Sequence, residues 1–293
     1  MLSAELLKKV RMIEISTRRM VTDAMSGRYR SHFKGHGVQF SEHRPYVQGD
    51  DVRHIDWKVS ARTRDPLIKK YEEERELTVF LVVDVSASER FGSHRKLKKE
   101  VVAELASILA YAASQTGDKV GVLLFAGKVE KIIPPRKGRS HILRIITELL
   151  DYQAQSKGTD LAGALESAGR IMKHSGIIFV LSDFLAGDYA VALKRLSRRH
   201  DVVAVSVTDE REAKISPDVG YLLLNDPETG EERWVDTSSY GFTKWLEEFK
   251  VEHRTETEAA FKGSRVESLK VLTRDDYGDA LVRFFSARAR RRK

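Results

Sequence analysis

Apolar and polar positions alternate in two rhythms along most of this chain. From Thr78 the run TVFLVVD is unbroken, apolar and rich in β-branched residues. A strand covered by helices on both faces has this pattern. Residues 96–115 then repeat at helical spacing, with Leu97, Val101, Leu105, Ile108, Leu109 and Ala112 on one face. Strand-like runs recur at 119–125, 177–181 and 202–207, separated by amphipathic helices at 141–152, 161–173 and 189–199. Residues 129–135 read as a hairpin arm stopped by Pro134 and Pro135. A late hairpin is expected at 221–224 and 232–235, a helix at 242–261, a last strand at 266–272 and a terminal helix from Tyr277. This alternation predicts an α/β fold: a doubly wound, mostly parallel, Rossmann-type sheet with right-handed crossovers.

The first 76 residues have a different texture. Leu6, Leu7, Val10, Ile13, Met20 and Val21 lie at helical spacing, which predicts an amphipathic helix over 1–25. Residues 26–49 are irregular, glycine-bearing and aromatic, a long loop or small irregular sheet. A charged strand at 67–76 feeds Thr78. The expected organisation is an N-terminal accessory helix and loop segment over 1–76, an α/β domain over 77–282 and a basic tail over 283–293.

In such sheets ligands bind outside the carboxyl ends of the strands, where the strand order reverses. Asp84, Ser86 and Ser88 leave the first core strand at that edge, Thr159 precedes a helix and Asp183 follows another strand. A carboxylate with hydroxyls is a hard-oxygen set suited to Mg²⁺, or to Mn²⁺ or Ca²⁺. Neutral hydroxyls leave such an ion electrophilic and open to a partner's carboxylate, a site for adhesion rather than hydrolysis. The alternative is that Asp84 and Ser86 brace a turn while Thr159 and Asp183 cap helices. Upstream, Asp50, Asp51, Arg53, Asp56, Trp57 and Arg62 crowd together. Asp50 is placed to cap a helix, and Arg53 and Arg62 to fork onto Asp51 or Asp56. The crowding reads as a metal or phosphate site, or as a structural ion-pair cluster, the reading we favour.

Composition narrows the function classes. No cysteine occurs among the 293 residues, which excludes disulfides, thiolate metal sites and cysteine nucleophiles. No apolar run reaches the roughly 20 residues of a membrane helix, and the N-terminus lacks the apolar core of a signal peptide, so the expected compartment is the cytoplasm. Six basic residues among the last eleven carry most of the formal charge of +8 and leave +2 on the rest. The charge therefore argues for a solvated tail, with an acidic partner or an anionic lipid surface as its possible contacts, and against nucleic acid. Arg28, Arg30 and Lys34 beside Tyr29 and Phe33 are the other nucleic-acid candidates. There is no phosphate-binding loop and no Gly-x-Ser-x-Gly elbow. Ser86 stands two residues after Asp84, where a phosphotransferase would need an acid. Asp50, Asp51 and Asp56 keep a metal-dependent nuclease in view.

Two resemblances follow from these residues. Asp84-x-Ser86-x-Ser88 with Thr159 and Asp183 resembles the metal-ion-dependent adhesion site of von Willebrand factor A domains. The run Arg44-x-Tyr46-x-x-Gly49-Asp50-Asp51-x-Arg53-x-Ile-Asp56-Trp57, continuing to Ser60-Ala-Arg62 and Lys70-Tyr71, resembles the signature of the domain-of-unknown-function 58 family. Members couple that segment to a von Willebrand A-like domain, and often have methionine where Glu89 stands here. The resemblance implies a bacterial, cytoplasmic, non-enzymatic adaptor working with a MoxR-type AAA+ ATPase, and with other von Willebrand A proteins, in complex assembly or maturation.

Overall fold

The computed structural model describes residues 37–63, 65–74, 77–87, 97–209, 220–225, 232–275 and 277–291. The helix expected over 1–25, the basic residues Arg28, Arg30 and Lys34, and Ser88 and Glu89 lie outside them. Among the described residues, those before Thr78 form a small unit and those from Thr78 onward a larger one.

The stretch expected to be irregular is in part regular. Strands β1 (Gly37–Pro45) and β2 (Leu67–Glu74) pair antiparallel, with a register shift between Phe40 and Glu42. Between them lie a 3-10 turn at Val52–His54 and a short helix, α1 (Trp57–Thr63). The insert is stitched to β2 by backbone: Tyr46 N–H donates to Pro66 C=O and Asp56 N–H to Leu67 C=O, each at 2.9 Å.

The larger unit is built on a sheet of six strands. These are β3 (Thr78–Asp84), β4 (Lys119–Phe125), β5 (Val129–Arg136), β6 (Ile177–Ser182), β7 (Asp201–Thr208) and β10 (Glu267–Leu272). Their order is β10-β7-β6-β3-β4-β5, parallel throughout except for β5, which runs antiparallel at one edge. A separate antiparallel pair, β8 (Tyr221–Asn225) and β9 (Glu232–Asp236), confirms the late hairpin. The expected end of the hairpin arm at Pro134-Pro135 is corrected. The prolines lie inside β5, where an edge strand and a register irregularity tolerate their missing donors.

Helices α2 (Lys98–Gln115), α3 (Arg139–Asp151), α4 (Leu161–Ile171), α5 (Ala190–Ser197), α6 (Tyr240–Ser264) and α7 (Tyr277–Arg291) cover the sheet. One face, with Phe80, Val82, Ile178, Val180, Val202 and Ala204, is sealed by α4, α5 and the end of α6. The other is covered by α2, α3 and α7; there Phe179, alternating with Ile178 and Val180, meets Phe285 edge to face at 6.3 Å. Because both faces are covered, β3 needs no polar alternation, and all of its residues after Thr78 are buried. Each large apolar side chain so buried contributes roughly 1.5–3 kcal/mol.

Two expectations fail at helix termini. Leu97, placed on the apolar face of its helix, is 41% exposed, and the next residue, Lys98, is buried instead. The basic tail expected from residue 283 belongs to α7 as far as Arg291, with Phe285 in the core. The Arg288 guanidinium is drawn in by Asp201 and Glu267, an anchor that charge counting along the sequence cannot reveal.

Candidate functional site

The sheet order makes the edge beyond β3 and β6 the switch point. From β3 the chain goes to β4 on one side, and β6 returns on the other. Parallel pairing of Val83 with Leu181 puts Asp84 level with the end of β6. There Asp84 (2% exposed), Ser86 and Asp183 (3% exposed) form one buried cluster. Asp84 Oδ1 accepts from Ser86 N–H at 2.9 Å, and Oδ2 accepts from the Ser182 hydroxyl at 2.8 Å. Asp183 Oδ1 accepts from Leu185 N–H at 3.0 Å. Between these strand ends Phe184 is held at φ 61°, a left-handed conformation costly for a buried aromatic residue. Its N–H is fixed by the Ser182 hydroxyl at 3.0 Å. Packing of the Phe184 ring against Tyr189 and Phe261 holds the strained turn in place.

Thr159 reaches the same edge by a different route. Asp160 N–H donates to Ala126 C=O at 2.7 Å, tying its loop to the end of β4. At Gly127 a Cβ would lie 1.9 Å from Lys157 C=O, so the two backbones touch only because residue 127 is glycine. Glu130 on β5 gathers the rest of the loop. Its carboxylate accepts from the Tyr152 hydroxyl at 2.9 Å, from Ser156 N–H at 2.8 Å and from the Ser156 hydroxyl. Burial alone would raise its pKa, but these hydrogen bonds outweigh that and hold it below the usual range. The helix cap expected at Thr159 is provided by Asp160, which accepts from Gly163 N–H at 2.8 Å. Asp183 is likewise no helix cap, whereas Asp84 does brace its own turn.

A residue that sequence reasoning missed completes the cluster. Lys98 is 0% exposed, and its Nζ lies 2.9 Å from Asp183 Oδ2. A cation in the first turn of a helix opposes the helix dipole, so its position there is a tertiary demand. Lys98 is in phase with Val101, Leu105 and Leu109 on the buried face, but periodicity does not say which carboxylate it meets. Burial first, and then the negative charge of Asp183, push the Asp84 carboxyl up to about 6. Asp183 pairs with the ammonium, and Asp84, disfavoured as an anion by burial and by the charge of Asp183, would be stabilised by further positive charge. Asp84, Ser86 and Asp183 bring hard oxygens of the kind a small divalent cation takes to this edge, with Lys98 already on Asp183. Among the described residues no three carboxylate or imidazole side chains converge as a metal-ligating group.

The signature residues of the small unit are spent differently. Arg44 forks onto Asp50 with two bonds of 2.7 Å, and Asp50 also accepts from Val47 N–H at 3.0 Å. That closes a turn in which Gly49 sits at φ 111°, a conformation open to glycine. The Arg44 hydrogen bonds hold Asp50 down at about 2. The cap expected at Asp50 is made by Asp51, which accepts from Arg53 N–H at 3.0 Å and pairs with its guanidinium at 2.8 Å. Asp56 binds His43 at 3.1 Å and Lys69 at 3.3 Å rather than an arginine, and accepts from Val59 N–H to start α1. His43 foremost holds Asp56 at about 2. Tyr46 is half-buried, Arg62 exposed and Trp57 68% exposed. These acids brace the unit, as the structural reading requires, and Trp57 is left outward.

The family model described as "Protein of unknown function DUF58" matches residues 42–256. The chain belongs to the DUF58 family. It is 30% identical over 290 residues to uncharacterized protein Rv1480 of Mycobacterium tuberculosis, covering 98% of this chain and 90% of that protein. It is 32% identical over 127 residues to uncharacterized protein YeaD of Bacillus subtilis, covering 43% and 29%. Among solved structures it is similar to an aerotolerance-related membrane protein from Bacteroides fragilis, at 18% identity, 73% and 99% coverage and TM-score 0.51. It is also similar to the SpRpn10 VWA domain, at 8% identity, 70% and 94% coverage and TM-score 0.42. The DUF58 chain has the expected doubly wound, mostly parallel α/β fold, with a single antiparallel edge strand in its six-stranded sheet, and shares its fold with the Bacteroides fragilis protein. None of its described helices is long and apolar enough to cross a membrane.

Proposed function

We propose that this DUF58 protein is a non-enzymatic, cytoplasmic adaptor that captures a partner protein at the carboxyl edge of its sheet, with a divalent cation between them. The observation that supports it is the Asp84–Asp183 pair, two buried carboxylates at the switch point whose mutual repulsion a cation would relieve. A bound Mg²⁺, Mn²⁺ or Ca²⁺ would supply an open coordination position for a partner's carboxylate. Asp84 provides the charge, Ser86 and Thr159 the neutral oxygens, and Ser182 orients Asp84 through its hydroxyl. Ser88 belongs to the same motif. Asp183 acts from the far side of the crevice.

The partner class is a MoxR-type AAA+ ATPase, together with other von Willebrand A proteins, in complex assembly or maturation; membership of the DUF58 family supports this. Exposed Val47, Val52 and Trp57 give the small unit an apolar contact surface of its own. A phosphotransferase or nuclease reading is weaker, because Ser86 stands where a second acid would be needed and a serine hydroxyl is far too weakly acidic to exchange protons near neutral pH. A nucleic-acid or lipid contact through the C-terminus is weakened by the engagement of Arg288 with Asp201 and Glu267.

The test is a calorimetric Mg²⁺ titration of wild type and Asp84→Ala, followed by binding of a purified MoxR-type ATPase to each. Loss of one cation site together with partner binding in Asp84→Ala supports the proposal. Partner binding unchanged by Asp84→Ala at saturating Mg²⁺ removes the cation from it. Phosphoester turnover abolished by Asp84→Ala would replace it with an enzyme.

A further inference from the structure

We infer that Lys98 is a built-in cation that sets how tightly this edge holds a divalent ion, an inference that rests on reading the edge as a cation site. The lysine is fully buried, and its Nζ lies 2.9 Å from Asp183 Oδ2. The other oxygen of Asp183 already accepts from Leu185 N–H at 3.0 Å. The ammonium takes one of the two lone-pair directions of Oδ2, and a metal ion on the other would stand close to it. Charge adds to the conflict: in a site shielded from water, an ammonium near a divalent ion is poorly screened. The two cations therefore compete for the charge of Asp183, while Asp84, whose oxygens each accept one hydrogen bond, keeps its remaining lone pairs for the metal.

Placement separates this role from ordinary packing. Lys98 opens α2, so its ammonium enters the cluster from the positive end of the helix, and no local preference puts a lysine there. Glu100 reaches back to Leu97 N–H at 3.2 Å and fixes the helix start that aims the lysine. With the ammonium seated, the start of α2 is tied to the end of β6 without metal. Entry of a divalent ion, with a partner's carboxylate as the added anion, releases Asp183 from Lys98. Divalent affinity is thus weak in the isolated chain and rises when a partner supplies negative charge.

The experiment is a Mn²⁺ titration by calorimetry, with thermal unfolding in parallel, on wild type, Lys98→Met and Lys98→Met/Asp84→Ala. The expected result is binding at least about tenfold tighter in Lys98→Met than in wild type, lost again in the double variant. Thermal stabilisation by Mn²⁺ should likewise be larger in Lys98→Met. Should Lys98→Met fail to fold in chelator, its folded fraction is titrated against Mn²⁺: recovery supports the competition, and no recovery overturns it. Equal Mn²⁺ affinity in wild type and Lys98→Met overturns the role of Lys98 and leaves the adaptor reading intact. Weak or absent binding in wild type with gain in Lys98→Met supports the inference, even where Asp84→Ala leaves partner binding unchanged and the adaptor reading fails.

Discussion

The buried Lys98–Asp183 pair makes a quantitative prediction about stability in the absence of divalent ions. At 2.9 Å and an effective dielectric of about 20, the attraction is roughly 6 kcal/mol, against desolvation of several kcal/mol per ion. The net worth of the intact pair is therefore small, but removing one partner strands the other. Lys98→Met leaves Asp84 and Asp183 both buried and facing each other, and should cost about 3–5 kcal/mol. For a unit of this size that is a fall in Tm of roughly 6–20 °C. Asp183→Asn should likewise destabilise, because it leaves the buried ammonium of Lys98 without the carboxylate that pairs with it. The double variant Lys98→Met/Asp183→Asn should recover most of the loss, giving a coupling of about 2–3 kcal/mol. Thermal and urea unfolding followed by circular dichroism in chelator, with and without added salt, measures all three. Salt should leave the coupling unchanged, since the pair is shielded from solvent. Additive single effects, or a Lys98→Met variant within about 2 °C of wild type, would refute the electrostatic account of this site.

Three further outcomes follow from particular contacts. At Gly121 a Cβ would lie 2.8 Å from the Phe80 ring and 2.9 Å from Pro135, so Gly121→Ala should cost about 1–3 kcal/mol by overpacking; a neutral midpoint in urea would show that the strand and rings shift freely. Glu130→Gln weakens the anchor of the loop before Thr159 and should lose about 1–3 kcal/mol, with faster amide exchange at Gln155 and Ser156; unchanged exchange there contradicts it. In the small unit Asp50 and Asp56 are both held at about 2, below their ordinary 3.8, so the unfolded chain binds protons more readily than the folded one. Their stabilisation is fully present above about pH 4 and is lost as pH falls through about 2. Amide exchange at Tyr46 and Asp56, whose N–H groups stitch the unit, should accelerate over that interval, and a flat profile would count against these pairs.

Most of the larger unit could be read from the chain because its signals are local. An unbroken β-branched run such as 78–84 has no plausible partner but a doubly covered sheet, and helical spacing marks α2, α3 and α4 within a few residues. Asp84, Ser86, Thr159 and Asp183 were identifiable because strand ends in a parallel sheet share one edge whatever the loops do. In the small unit the acids and arginines were visible, but not which pairs with which: Asp50 with Arg44, and Asp56 with His43 and Lys69, depend on the register of β1 against β2.

Tertiary structure decided the matters that depend on a partner distant in sequence. Leu97 and Lys98 differ by one position on a helix, about 100° of rotation. Hydrophobicity alone assigns the leucine to the core, yet Asp183, 85 residues further on, draws the lysine in. Arg288 looks like one charge of a solvated tail until Asp201 and Glu267 meet it at the start of their strands. The sequence by itself determined the layers, the strand ends and the oxygen-bearing residues placed there, because these follow from periodicity and parallel pairing. Which cation those oxygens already face was set only by the packed fold, because the free energy of a buried charge is decided by its neighbours in space.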